Sequence, residues 1–186
     1  MVRKIMILSA VLMCACMSCR AQQFSLSTNI LDYACLGTVN VDASYSVSRR
    51  WSLSAGARYN PFTFMKGDPD TQMQLRQQSY AVGARLWPWH TMSGWWFGSK
   101  MRYQEYSFGG VWSDETTEGD RCGLGLYVGY THMLSRHFNL EFGLGCWGGI
   151  DFYRRYSCPV CGLLMSAGRK LFILPDDLMI SIAYVF

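Results

Sequence analysis

Cys158-Pro159-Val160-Cys161 has the spacing of a redox dithiol or of half a zinc site. A thioredoxin-like dithiol would stand ahead of a helix in an α/β fold, and a structural zinc would need two further ligands at suitable spacing. The surrounding sequence offers neither setting. Eight cysteines are present, of which Cys14, Cys16 and Cys19 fall in the opening segment, so five remain. An odd number cannot all pair within one chain. Cys35, Cys122, Cys158 and Cys161 are expected at one end of the molecule, where loop disulfides are the plainest reading, while Cys146 packs as a small apolar wall residue.

Histidine is the other chemistry-bearing type. A small lipid-modifying enzyme, a deacylase or acyltransferase, would need His beside Ser or an acid near the outer leaflet of a membrane. His90 and His137 instead fall in short turns, and His132 falls at the turn end of its strand. They read as interfacial residues with polar tips. The sequence therefore predicts no catalytic, cofactor-binding or metal-binding residue, no cofactor and no enzyme; the lipid-modifying enzyme is the principal alternative and a narrow channel the second.

Charged residues supply a further constellation. Arg58, Arg85, Lys100 and Arg102 share one strand parity with Asp42 and Glu141. Ions buried on one face must pair or bear several kcal/mol of desolvation. Set inside a narrow barrel, they predict a structural plug. Tyr153, Arg154, Arg155 and Tyr156 form a second group, expected on a long loop, where Arg and aromatic side chains suit either a protein partner or lipid headgroups.

The elements that would hold these groups are strands. Val39, Val41, Ala43, Tyr45 and Val47 alternate with Asn40, Asp42, Ser44 and Ser46, and Trp51, Leu53, Ala55, Ala57 and Tyr59 alternate with Ser52, Ser54, Gly56, Arg58 and Asn60. This is period-two patterning. It returns at Tyr80 to Leu86, Phe97 to Gln104, Leu124 to Thr131 and Phe138 to Gly145. With Phe24 to Ala34 as a first, less regular strand and Leu178 to Phe186 as the last, about eight strands are predicted. Connections at Ser48 to Arg50, Pro88 to Gly94 and Ser135 to His137 are short. Those near Met65 to Gln78, Gly109 to Asp120 and Tyr153 to Pro175 are expected to be long loops, all at the opposite end.

Composition decides which face points out. The chain is 50% hydrophobic and 15% aromatic, with only 16% charged residues against the ~25% of ordinary soluble proteins. A lipocalin-like barrel, apolar within and wet without, would need many charges on its polar rows. Here those rows are mostly Gly, Ser, Thr and Asn. The expected fold is all-β: an eight-stranded antiparallel up-and-down transmembrane β-barrel with a filled polar lumen. Trp51, Tyr59, Tyr103, Tyr130, Tyr184 and Phe186 would form its membrane girdles. Trp51 and Tyr59 are ~26 Å apart along one strand, or roughly 20 Å in height at a tilt of about 40°, close to the ~25 Å apolar band of such barrels.

Residues 1–21 have the basic start, short apolar stretch and small-residue boundary of a secretory signal peptide, and residues 22–186 form one barrel domain. Cys16 and Cys19 raise a lipoprotein reading, but neither has a convincing Leu three positions before it. The formal charge of +4 is scattered, which argues against a nucleic-acid partner.

The words Ser27-Thr28-Asn29-Ile30-Leu31-Asp32-Tyr33 and Tyr59-Asn60-Pro61-Phe62-Thr63-Phe64, with the closing Tyr184-Val185-Phe186, resemble an uncharacterised outer-membrane barrel family of diderm gut bacteria, domain of unknown function 3575. The resemblance implies a bacterial outer-membrane location and barrel architecture, with relatives near surface-fibre genes and no catalytic residues to carry over. The expected role is structural or adhesive, or surface assembly through the long extracellular loops. Outer-membrane lipid and lipopolysaccharide are the expected partners, with the barrel-insertion machinery during assembly; the resemblance adds surface-fibre or other envelope proteins.

Overall fold

The computed structural model describes residues 23–34, 37–64, 72–110, 115–157 and 163–186. Strands β1 (Phe24–Asn29), β2 (Val39–Ser46) and β3 (Trp51–Asn60) are followed by the two-residue β4 (Thr63–Phe64), then β5 (Met73–Leu86), β6 (Gly94–Gly109), β7 (Thr116–Met133), β8 (Phe138–Tyr156) and β9 (Leu164–Val185). One helical turn, α1 (Ile30–Ala34), leaves β1. β4 is a flap on β5, and β3 pairs directly with β5. β1 pairs with β9 through Ser25↔Val185 to Asn29↔Ser181, which closes an eight-stranded antiparallel barrel.

Period two in the sequence becomes inside and outside in the wall. Leu124, Leu126 and Leu144 are 65%, 69% and 62% exposed, whereas Glu141 is 2% and Asp151 0% exposed. The last strand follows suit: Leu178, Ile182, Tyr184 and Phe186 are exposed, while Met179, Ser181, Ala183 and Val185 are buried. The polar rows thus face the lumen and the apolar rows face out, the reverse of a lipocalin-like barrel. All six predicted girdle aromatics, Trp51, Tyr59, Tyr103, Tyr130, Tyr184 and Phe186, point outward.

Register fixes the tilt. The row through Leu26, Ala43, Ala55, Val82, Met101, Leu124 and Gly148 reaches β9 at Ile173, yet Leu26 itself pairs with Tyr184, eleven positions on. A bulge within the β8–β9 ladder contributes one position of that offset. A stagger near ten over eight strands corresponds to a tilt of about 40°.

The long loops expected after β4, β6 and β8 are in large part strand. β7, β8 and β9 contain 18, 19 and 22 residues, against 6, 8 and 10 in β1, β2 and β3. The wall is therefore low on one side and rises on the other. Leu171-Phe172-Ile173-Leu174 lacks alternation and Pro175 follows it, so the sequence masks a strand that is paired with β8 throughout. The first strand is also shorter than expected, because the chain turns into α1 after Asn29. The predicted leader lies outside the described residues.

The lumen corrects a third expectation. It is filled by large rings as well as small polar groups: Trp87, Trp96, Tyr127 and Met179 form one buried cluster, and Trp147 and Tyr106 are buried further up. Trp87 closes the turn end, donating its indole N–H to Ser52 Oγ at 3.0 Å. Inward-facing glycines make the room. A Cβ on Gly129 would lie 2.3 Å from Trp96 Cζ2, and one on Gly145 would lie 2.1 Å from Tyr127 Cδ1.

Candidate functional site

Two charge clusters are stacked along the barrel axis. In the lower one Arg85, 2% exposed, meets Glu141, also 2% exposed, with Nη1 at 3.0 Å from Oε2. Asp42 bridges outward from this pair, 3.8 Å from Arg85 and 3.5 Å from Lys100. Each cation also covers a ring: the Arg85 guanidinium is 4.6 Å from the Trp96 centroid, and Lys100 Nζ is 5.2 Å from that of Tyr127. Because β2, β5, β6 and β8 each contribute one charge, the ions tie four strands together across the lumen. Arg58 is engaged by Asp32 of α1 at 2.9 Å, and Arg102 lies 5.2 Å from the Trp147 ring. The space left beside these groups is about 30 Å³, lined by Ser27, Asp42, Arg58, Lys100, Arg102 and Ser181 among others. That is room for one or two waters.

The upper cluster lies inside the tall wall and was not anticipated. Asp151, fully buried, accepts a hydrogen bond from the Tyr106 hydroxyl at 2.8 Å and faces Arg121 and Lys170 at 3.2 and 3.7 Å. Arg121 lies 3.9 Å over the Tyr106 ring. Asp151, Lys170 and Arg121 belong to stretches that the sequence presents as loops or leaves without alternation, whereas the inward parity of Tyr127 and Trp147 was readable between their outward neighbours.

Tyr153, Arg154, Arg155 and Tyr156 are strand residues of β8 rather than loop residues. Tyr153 faces inward beneath Lys170, 4.9 Å away, and Arg155 pairs with Glu115 at 3.4 Å. Arg154 is exposed on the outward face, and the Tyr156 hydroxyl donates to Glu118 at 2.7 Å. Beside them a polar cleft of about 490 Å³ is lined by Arg76, Gln78, Glu105, Glu118 and Asp120 with other rim residues.

Cys122 is likewise a strand residue, of β7, with a free and exposed thiol opposite Tyr103 and Ile150; the disulfide expected for it is absent from this structure. Cys35, Cys158 and Cys161 lie outside the described residues. Cys146 is free on the outer wall. Among the described residues no group of three or more His, Cys, Asp and Glu is arranged to hold a metal ion.

A comparison with curated proteins gives no match. The model of the family described as "Protein of unknown function (DUF3575)" matches residues 6–186. The chain belongs to that family.

In this DUF3575 protein the two words that carried the resemblance have a common structural use. Asn29 and Asn60 end β1 and β3, both are buried, and each accepts the backbone N–H two residues on, from Leu31 at 3.3 Å and Phe62 at 3.0 Å. These are Asx-turns, which replace the next ladder bond with a side chain. Asn29 does more: its Oδ1 also accepts the Ile180 N–H at 3.0 Å, so a side chain continues the β9 edge where β1 departs. Asn40 completes the seam, accepting the Asn29 N–H at 2.6 Å and donating to the Asn29 carbonyl at 2.9 Å. Asn29→Ala is expected to remove about 1–3 kcal/mol of stability by orphaning two half-buried backbone donors, those of Leu31 and Ile180, read as a lower unfolding midpoint in detergent. An unchanged midpoint would show that the Asn29 side chain contributes nothing to the seam.

Proposed function

We propose that this DUF3575 protein is a bacterial outer-membrane barrel that acts without catalysis, as a structural or interaction module for surface assembly or adhesion. The observation that carries the reading is the pairing of an apolar exterior with an ion-locked lumen. The outward rows match a hydrocarbon solvent, in which only closed barrels and helices satisfy their backbone. Among the described residues the lumen is crossed by Arg85, Glu141, Asp42 and Lys100 and filled by rings, which argues against a route for solutes. The three histidines are dispersed, with His137 stacked on Tyr184 at 5.7 Å, His132 exposed on β7 and His90 bridged to Ser93. What remains for function is the rim and the tall wall, whose polar cleft and outward Arg154 are the surfaces offered to partners.

The test uses the full chain in detergent and in planar bilayers. Heat-modifiable gel migration and insertion without conductance are expected. A protein that stays dispersed in water without detergent would sink the membrane assignment, and steady single-channel conductance would sink the closed lumen.

A further inference from the structure

The outward face above the aromatic girdle is not uniform around the barrel. One hydrogen-bonded register row crosses Tyr80, Tyr103, Cys122, Ile150 and Leu171 and is apolar or aromatic along most of its length. The next row towards the rim crosses Gln78, Glu105, Asp120, Phe152 and Arg169. On β6 and β7 that row is acidic, and the Tyr103 hydroxyl bridges Glu105 at 2.9 Å and Asp120 at 3.4 Å. On β8 and β9 it stays apolar at Phe152 and then turns basic. Beneath lie Ile150, Leu171 and Ile173, the last two 83% and 82% exposed, more than any other large apolar side chain described. Above lies Arg154, exposed and in register with Ala167, hence a diagonal neighbour of Arg169. Such neighbours are about 7–8 Å apart, a spacing at which two guanidinium forks reach one phosphate or two adjacent ones.

We infer that the outward face of β8 and β9 binds the phosphorylated lipid A portion of lipopolysaccharide, with acyl chains on Ile150, Phe152, Leu171 and Ile173 and phosphate at Arg154 and Arg169. The inference rests on the outer-membrane reading above. The shape is that of an anionic lipid: an apolar column two strands wide, continuous with the apolar wall, ending in cations on the same face. The acids of β6 and β7 repel phosphate from the neighbouring sector, which confines the lipid to one side of the barrel. Glu118, across from Arg154 in register, accepts the Tyr156 hydroxyl, which Arg154 also approaches, so one acid borders the phosphate site from β7. Arg is suited to this role because its planar fork engages phosphate bidentately, where Lys offers only a point charge.

The full chain, purified in a neutral detergent, would be titrated with phosphorylated lipid A, its dephosphorylated form and phosphatidylglycerol, and bound lipid counted by native mass spectrometry. Phosphorylated lipid A should be retained by the natural protein and by Arg49→Gln/Arg50→Gln in the hairpin turn at the other end. Arg154→Gln/Arg169→Gln should lower that retention at least tenfold, Leu171→Gln should lower it as well, and the other two lipids should be retained weakly. Undiminished lipid A on the Arg154/Arg169 double variant, or phosphatidylglycerol held as well as lipid A, overturns the inference while leaving the membrane assignment standing. Loss of heat-modifiable migration in the natural protein overturns that assignment and the inference with it.

Discussion

Glu141→Ala is expected to destabilise the barrel by about 3–5 kcal/mol, because it leaves the Arg85 guanidinium buried without its closest counter-ion. Asp42 is a poor substitute, since it lies 3.8 Å from Arg85 and is already shared with Lys100 at 3.5 Å. Breaking a buried pair from one side differs physically from removing it. The double replacement Arg85→Met/Glu141→Leu should recover most of the loss, as hydrophobic side chains of similar volume often equal or exceed a buried ion pair in stability. Urea midpoints in detergent, followed by heat-modifiable migration, would separate the two. A single variant as stable as the natural protein would mean that the lower cluster does not hold the strands together, and the closed-lumen reading would lose its main physical support.

The sequence revealed the wall of this barrel more clearly than its contents. Alternation from Thr38 to Val47 and from Trp51 to Asn60 assigned inside and outside correctly because each outward apolar residue is flanked by small polar ones. The same rule brought Arg85, Lys100, Asp42 and Glu141 to one face, although not which would touch. It failed where two faces of a strand are both apolar. Phe172 turns inward onto Trp147, with ring centroids 4.6 Å apart, while Leu171 and Ile173 turn outward, so no period-two signal survives there. The bulge between Gly143 and Gly145 then shifts the β9 register, breaking any count carried back from the terminus. Asp151 was missed for a related reason: its partners Arg121 and Lys170 come from other strands, and pairing across a barrel leaves no mark on local spacing. Asn29 and Asn60 were visible as parts of the words that carry the family resemblance, but the turn each one makes depends on a backbone geometry that residue type alone does not fix.

Gly129→Ala should be a strongly damaging single-methyl change in the lumen. On an exposed strand the same substitution would be mildly favourable, since glycine costs backbone entropy. At position 129 the sign reverses, because the new Cβ would lie 2.3 Å from Trp96 Cζ2 and 2.4 Å from the Phe142 carbonyl oxygen. The indole is 2% exposed and stacked beneath Arg85, and the carbonyl belongs to the neighbouring strand β8, so neither can retreat without moving the wall. Overpacking of this kind costs about 1–3 kcal/mol, and the upper end is expected with two rigid neighbours. Trp96→Leu should relieve only the ring clash, so the double variant would sit between the single ones and depart from additivity, as contacting residues do. Gly168→Ala serves as the comparison: its nearest side-chain atom, Tyr153 Oη, is 3.5 Å away, and its midpoint should not fall. If Gly129→Ala and Gly168→Ala unfold at the same urea concentration, the glycines of β7 are not there to seat the lumen rings, and the filling of the barrel needs another cause.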